Sequence, residues 1–271
     1  MWSNDITRAN NSWSSMGTLD DGIKAVLLVG GLGTRLRSVV PSTPKPMASV
    51  GDRPFLELLV RQLRFQGIRR IVMCTGYRAH EIERELGDGH IWDVEIEYSE
   101  EPLALGTAGA VKFAEPLLRD VSDFLVMNGD SFMETDFRRL ICFHQESGGI
   151  ASMAVFRTKN EKRYGTVQVR TDGRVSGFAE KTDADPNGLV NAGVYIFNRR
   201  ILEHVPEGPS SLERDIFPKL LDQGIFALEQ EGVFIDIGTP EDYARAQELC
   251  DRLYEAARVK QSPSLGNEKP H

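Results

Sequence analysis

A glycine-rich loop directly after a short apolar run is the feature that most constrains how this chain can fold. Residues 24–47 read KAVLLVGGLGTRLRSVVPSTPKPM. The run Ala25–Val29 is short and rich in Val and Leu, which predicts a strand buried on both faces. Gly30, Gly31 and Gly33 follow at once. Because glycine lacks a Cβ atom, the backbone N–H groups of this loop can converge on an anion. The sequence therefore predicts a phosphate-binding loop at the end of a buried strand.

Two common glycine motifs do not match this loop. A dinucleotide fingerprint requires glycine three positions after Gly33, where Leu36 stands, and the chain contains no G-x-x-x-x-G-K-[ST] motif. Thr34 and Arg35 follow the glycines instead, and Lys45 lies between two prolines. The guanidinium fork and the compact ammonium charge both suit phosphate oxygens, and the prolines restrict the backbone that carries the lysine. Together with the loop, the two cations indicate a bound triphosphate.

Composition excludes several other classes of protein. Of the 271 residues, 41% are hydrophobic and 27% are charged, as in soluble globular proteins. No apolar run approaches a membrane span. The net charge of −8 argues against a nucleic-acid surface. The three cysteines form no C-x-x-C pair and indicate buried thiols in a reducing compartment. We therefore expect a cytoplasmic protein that binds neither nucleic acid nor membranes.

The order of apolar runs predicts an α/β fold of one domain. Strand-like and helix-like segments alternate as far as residue 157, and β-like runs joined by the turn signal Thr171-Asp172-Gly173 follow. We expect a three-layer sandwich around a Rossmann-like, mixed and mostly parallel sheet. Residues 1–22 lack the apolar segment of a secretion signal and should form a disordered extension, and residues 258–271 a loose tail.

Two further predicted strand ends carry small or acidic residues. Gly76 follows the apolar run 71–74 and gives the chain a tight exit at the edge of the sheet where the glycine loop lies. Asp130 follows the apolar run 124–127 in the same way. A carboxylate is a hard oxygen ligand that suits Mg²⁺, although an isolated Asp at a strand end is more often a turn residue. The pattern alone leaves both interpretations of Asp130 open.

The loop sequence resembles a known enzyme signature. GGLGTRL followed by PKPM resembles the signature of the sugar-1-phosphate nucleotidyltransferases, and the run PKPMASVGDRPFLELLVRQLRFQGIRRIV is most similar to the D-glycero-D-manno-heptose 1-phosphate guanylyltransferases. The resemblance covers about residues 23–257. It implies the nucleotidyltransferase fold, with a nucleotide-binding part at about 23–157 and a sugar-binding part at about 158–257. It also implies transfer of a nucleoside monophosphate from GTP to the heptose 1-phosphate, with release of pyrophosphate.

The product would be a nucleotide sugar such as GDP-heptose, of the kind used to build lipopolysaccharide, capsule or S-layer glycans. The resemblance assigns the nucleotide to Gly30, Gly31, Gly33, Thr34, Gly76, Gly106 and Thr107. It assigns the sugar phosphate to Gly165, Glu180, Lys181 and Asn191. It implies that Arg35 and Lys45 neutralise the leaving pyrophosphate and that Asp130 and Asp236 hold Mg²⁺. Two positions depart from the family pattern, since Thr182 replaces a frequent Pro and Phe234 the usual Trp.

The sequence leaves two other interpretations of the function open. The same phosphate and metal residues would serve a transferase for a hexose 1-phosphate such as mannose or glucose 1-phosphate. The chain could also be an inactive, regulatory member of the family, although retention of the cations and carboxylates argues against this. The sequence does not predict whether the protein forms a homo-oligomer. Because a sugar 1-phosphate is already an anion near neutral pH, the reaction needs no general base, and positioning and charge neutralisation would supply the catalysis.

Overall fold

The computed structural model describes residues 22–31, 33–36, 38–40, 43–158, 166–179 and 188–258. The strands are β1 (Lys24–Leu28), β2 (Ser49–Val50), β3 (Arg53–Pro54), β4 (Arg70–Thr75), β5 (Glu95–Glu100), β6 (Asp123–Asn128), β7 (Ser131–Met133), β8 (Ala151–Arg157), β9 (Thr166–Val169), β10 (Val175–Ala179), β11 (Leu189–Asn198), β12 (Ile225–Glu229) and β13 (Phe234–Asp236). The helices are α1 (Phe55–Phe65), α2 (Ala79–Leu86), α3 (Gly106–Phe113), α4 (Phe137–Ser147), α5 (Pro240–Glu248) and α6 (Cys250–Ala256).

A nine-stranded mixed sheet forms the middle layer. Its main path runs β10-β9-β11-β6-β1-β4-β5, with β8 paired to β11 and β12. Strand β1 is parallel to both β4 and β6, and β4 is parallel to β5. Strand β11 is antiparallel to β6, β8 and β9. The predicted α/β fold with a mixed central sheet is confirmed.

The register of the parallel strands creates one functional edge. Leu28, the last residue of β1, pairs with Cys74 of β4 on one side and with Asn128 of β6 on the other. The segments that follow these three strands therefore leave the sheet side by side. In open parallel sheets, ligands bind outside the carboxyl ends of the strands.

Hydrophobic packing covers both faces of the sheet. Side chains alternate along a strand, so Ala25 and Leu27 of β1 join one cluster of buried residues while Val26 joins the other. The buried apolar side chains of α1 and α6 belong to the first cluster, and those of α3 belong to the second. None of the helices in the described ranges is both long and apolar enough to cross a bilayer.

The sequence pattern predicts helices through about Leu118, from the serines at 210 and 211 through about Leu221, and from Pro240 to about Ala257, and the structure differs at all three. The helix expected to run to Leu118 ends at Phe113, and a 3-10 turn, Glu115–Leu118, follows because Pro116 cannot continue the hydrogen-bond ladder. The helix expected from the serines at 210 and 211 is a π-helical turn, Leu212–Ile216, followed by two 3-10 turns. The C-terminal helix is divided into α5 and α6.

Candidate active site

A cleft of about 260 Å³ opens at the edge where β1 and β6 end. It is lined by Leu28, Val29, Gly30, Gly31, Lys45, Pro46, Glu101, Ala104, Gly106, Thr107, Ala110, Asn128 and Asp130. The lining combines the glycine loop, the start of α3 and the end of β6. The structure therefore brings together segments from three parts of the sequence that carry predicted site residues.

Two glycines of the first loop are required by close packing. Gly33 has a φ of +56°, and a Cβ atom there would lie 2.9 Å from Cβ of Lys45. A Cβ atom on Gly30 would lie 2.9 Å from Oε1 of Glu101 and 3.3 Å from the backbone N of Gly76. A side chain at either glycine would thus displace a neighbouring site residue or its backbone. This explains why positions 30 and 33 of the loop carry glycine.

Lys45 lies between two carboxylates. Its Nζ atom lies 2.5 Å from Oδ2 of Asp130 and 3.8 Å from Oδ1 of Asp236. The lysine side chain is only 9% exposed, whereas those of Asp130 and Asp236 are 38% and 31% exposed. The short turn Lys45–Met47, with Pro46 at its start, holds the lysine backbone. The cluster thus joins three residues to which the family resemblance assigns roles, Lys45 at the pyrophosphate and the two aspartates at Mg²⁺.

Strand β13 carries Asp236 to this position. It pairs antiparallel with β7, so that Asp236 faces Ser131 across the ladder, next to Asp130. The backbone N–H of Ile237 donates to the carbonyl of Asp130 at 2.9 Å, and that of Gly238 donates to Oδ1 of Asp236 at 2.6 Å. The backbone of both elements therefore fixes the two carboxylates on either side of the lysine.

The charges of this cluster are not fully balanced by the protein. Burial raises the pKa of Asp236, and the nearby charge of Asp130 raises it further, whereas Lys45 and the Gly238 N–H act in the opposite direction. A second cation would relieve this repulsion. Mg²⁺ is commonly held by one or two carboxylates together with substrate phosphates, so these two aspartates fit that ion. Within the described ranges, no group of three or more His, Cys, Asp or Glu residues is arranged to hold a metal.

The remaining predicted site residues lie partly in the cleft, partly elsewhere in the fold and partly outside the described residues. Gly31, Gly106 and Thr107 line the cleft, and Gly106 has a φ of +71°. Thr34 and Arg35 lie in the turn Thr34–Leu36, and the Arg35 side chain is exposed. Asn191 lies on β11, where its Nδ2 donates to the hydroxyl of Tyr195 at 2.8 Å. Gly165, Glu180 and Lys181 lie outside the described residues, as do residues 1–21 and 259–271.

Two residues with polar side chains in the cleft, Glu101 and Asn128, were not predicted from the sequence as site residues. Glu101 follows β5, and its Oε2 accepts a hydrogen bond of 2.8 Å from the N–H of Leu105. Burial raises the pKa of Glu101, while the Leu105 N–H lowers it. Asn128 ends β6, and its Oδ1 is buried and has no hydrogen-bond partner among the described residues. The sequence signal for both was their place at a strand end on the functional edge.

A comparison with protein-family models decides the family. Residues 24–252 match the model described as "Nucleotidyl transferase". The chain belongs to this nucleotidyl transferase family. The match covers the glycine loop, the lysine and both aspartates of the cluster, so the predicted family is confirmed.

Relatives of this nucleotidyl transferase carry related names. The "Mannose-1-phosphate guanylyltransferase catalytic subunit beta" of Drosophila pseudoobscura pseudoobscura is 35% identical over 251 residues, which are 92% of this chain and 67% of the relative. The "Mannose-1-phosphate guanylyltransferase" of Mycobacterium tuberculosis is 36% identical over 227 residues, 82% of this chain and 63% of the relative. The chain thus spans about two thirds of the length of these relatives.

A solved structure shows the same fold. HddC from Yersinia pseudotuberculosis, crystallised in complex with GMP-PN, superposes on this nucleotidyl transferase with a TM-score of 0.75 and is 34% identical in sequence. The superposition covers 83% of this chain and 98% of HddC. The overall fold is therefore shared with a protein that has been crystallised in complex with GMP-PN.

Proposed function

We propose that this chain transfers GMP from GTP to a sugar 1-phosphate of the manno configuration and releases pyrophosphate. The Lys45–Asp130–Asp236 cluster at the cleft carries the proposal. A lysine and two carboxylates suit a substrate that arrives as a triphosphate with a divalent cation. They would be difficult to explain in a member that only binds other proteins, because they place partly buried charges beside an open cleft.

The residues of this chain can position the triphosphate and neutralise the charge on its phosphates. The glycine loop offers backbone N–H groups to phosphate oxygens, and Lys45 lies where it can offset charge on the phosphates. Asp130 and Asp236 would hold Mg²⁺, which, when bound, supplies further charge neutralisation on the transferred and leaving phosphates. Arg35 is placed on the turn directly after the loop, within the part of the chain that would face the triphosphate. No side chain is needed as a general base, since the attacking phosphate is an anion.

Glu101 supports guanine as the base. The Watson–Crick edge of guanine presents two adjacent donors, the ring N1–H and the exocyclic amino group. A carboxylate accepts hydrogen bonds only and can pair with both. Glu101 lines the cleft and is held by the Leu105 N–H, which fixes the direction of its carboxylate. The names of the relatives and the bound GMP-PN of HddC agree with this choice.

Two sugar phosphates satisfy the proposal. Mannose 1-phosphate appears in the names of the relatives. D-glycero-α-D-manno-heptose 1-phosphate follows from the sequence resemblance of residues 44–72. The two share the manno ring and differ only in the substituent on C5, so one site can accept the ring of either. Discrimination between them must come from residues near that substituent.

The test is release of pyrophosphate in the presence of Mg²⁺. Each common nucleoside triphosphate is offered with mannose 1-phosphate, with the heptose 1-phosphate and with glucose 1-phosphate. We expect turnover with GTP and a manno-configured sugar phosphate, and weak turnover with glucose 1-phosphate. Preference for another base or for glucose 1-phosphate would be consistent with the proposed transfer reaction but would overturn the proposed substrates. Absence of turnover in every pairing would favour an inactive, regulatory member.

A further inference from the structure

A network of hydrogen bonds links the nucleotide side of the cleft to strand β11. Oε1 of Glu213 accepts a hydrogen bond of 3.0 Å from the hydroxyl of Tyr195, and that hydroxyl accepts one of 2.8 Å from Nδ2 of Asn191. Oε2 of Glu213 accepts bonds of 3.1 Å from Oγ1 of Thr107 and 2.9 Å from Oγ of Ser211. A single carboxylate therefore connects Thr107, which lines the cleft, with Asn191.

The network depends on an irregular strand. In a regular strand, residues four apart are separated by about 13 Å, and the side chains of Asn191 and Tyr195 would not meet. The pairing of β11 with β8 shifts register between these two residues, and Gly193 between them has a φ of +71°. The Gly193 N–H donates to Oδ1 of Asn191 at 3.0 Å. A Cβ atom on Gly193 would lie 2.5 Å from Nδ2 of the cleft residue Asn128, so this irregular part of β11 adjoins the cleft.

The direction of each hydrogen bond is fixed by chemistry. Burial, with the charge of Glu213 beside it, raises the pKa of Tyr195 well above its ordinary value. The tyrosine therefore keeps its proton, and its hydroxyl donates a hydrogen bond to the carboxylate. Oδ1 of Asn191 accepts the Gly193 N–H, so its amide nitrogen must face Tyr195. The Thr107 hydroxyl donates to Glu213 and accepts from the N–H of Leu212 at 2.8 Å. Each hydrogen bond from Thr107 to Asn191 thus has one assigned donor and one assigned acceptor.

Glu213 is held in a π-helical turn, Leu212–Ile216. Such turns are rare and often lie at functional sites. The residue before the turn, Ser211, caps it, and the adjoining Ser210 pairs by backbone hydrogen bonds with the loop that starts α3, at Leu105 and Ala108. The turn is therefore attached to the nucleotide loop by its backbone and to β11 by the Glu213 side chain.

We propose that Glu213 is a positioning residue that sets Thr107 for the nucleotide and, through the Tyr195 hydroxyl, Asn191 for the sugar phosphate. This inference rests on the proposed function. Glu213 touches neither substrate in this scheme and acts through the two residues that do. Loss of its acceptors should therefore weaken the binding of both substrates, whereas loss of the Tyr195 hydroxyl should weaken the binding of the sugar phosphate alone.

The experiment compares wild-type protein with the variants Glu213→Gln, Tyr195→Phe and Tyr98→Phe. The first keeps the size of the side chain but offers one oxygen acceptor in place of two. The second keeps the buried ring against Phe197 and Phe217 and removes the hydroxyl that joins Glu213 to Asn191, while the bonds of Glu213 to Thr107 and Ser211 stay in place. The third is the matched control, because the Tyr98 hydroxyl donates to the carbonyl of Gly87 outside the network. KM for GTP and KM for the sugar phosphate are measured from pyrophosphate release, and folding is checked by thermal melting.

For Glu213→Gln we expect both KM values to rise by about tenfold, the scale of one lost hydrogen bond. For Tyr195→Phe we expect a rise of similar size in KM for the sugar phosphate, with KM for GTP within about twofold of wild type. Tyr98→Phe should change neither KM. Variants that melt earlier but keep both KM values would show a structural role only and overturn the inference. If Glu213→Gln does not fold, equal shifts of both KM values in Tyr195→Phe, or none, would overturn it. Inactive wild-type protein would overturn the proposed function and this inference with it.

Discussion

At the scale of single residues, the tight contact between Gly33 and Lys45 leads to a prediction about turnover. Gly33→Ala places a Cβ atom 2.9 Å from Cβ of Lys45 in a backbone conformation with φ of +56°, so Lys45 must shift and its short contact with Asp130 is disturbed. We expect turnover to fall by about tenfold to a hundredfold, because small displacements of a charged site residue are costly. The matched control is Gly148→Ala, which has a φ of +62° and open space around the added atom. Equal activity of the two variants would contradict the positioning role of Gly33.

Glu101 gives a second prediction at this scale, about the choice of base. ITP lacks the exocyclic amino group of guanine, so wild-type protein should prefer GTP over ITP by about tenfold in kcat/KM, the scale of a hydrogen bond to a charged group. Glu101→Gln should remove most of this preference, because an amide cannot accept both guanine donors. The control is Glu100→Gln, whose exposed side chain neighbours it in sequence. A preference that survives in Glu101→Gln would place the base elsewhere.

At the scale of secondary-structure elements, a buried polar contact joins helix α4 to the sheet. Nδ1 of His144 lies 3.0 Å from Oγ of Ser152, and Nε2 lies 3.7 Å from Oδ1 of Asp123. The proximity of His144 lowers the pKa of Asp123, and the hydrogen bond from Asn198 also lowers it, while burial opposes both. The ionised carboxylate therefore stabilises the folded state.

This contact predicts how stability depends on pH. Because the pKa of Asp123 is lower in the folded chain, its contribution is present above the unfolded pKa of about 3.9 and is lost as pH falls through the folded value. Asp123→Asn should therefore lower the free energy of unfolding by about 1 kcal/mol at neutral pH and by less near pH 3. The control is Asp222→Asn at an exposed position. Denaturant titration at both pH values is the measurement, and an equal loss at both would contradict the assignment.

The elements and site residues of this fold differ in how far the sequence predicts them. The positions of the buried strand, the glycine loop and the carboxylate after β6 could be predicted because each depends on a short run of residues. The limits of the helix around residues 210–221 could not, since the π-helical turn at Glu213 depends on contacts with Thr107 and Tyr195, which are remote in sequence. The place of Glu101 in the cleft was missed because it depends on the order of the strands. The structure does not describe Glu180 and Lys181, and their assignment remains a prediction.

At the scale of the whole molecule, the predicted nucleotide-binding and sugar-binding parts share one sheet. Strand β11 of the later part lies between β6 and β9 and also pairs with β8, and β12 pairs with β8. Asp236, from the later part, lies beside Lys45 of the earlier part. Neither the sheet nor the charged cluster is complete in one part alone.

The shared sheet predicts cooperative unfolding. Ile196 of β11 is fully buried and pairs with Leu125 of β6 and with Ser152 of β8. Ile196→Ala should lower the free energy of unfolding by about 2–5 kcal/mol, because it leaves a cavity at the junction of both parts. Thermal unfolding followed by circular dichroism and by calorimetry should show one transition in wild-type and variant protein, shifted to lower temperature in the variant. Two separate transitions, with only the later part shifted, would mean that the parts fold as independent domains and that the shared strand does not couple them.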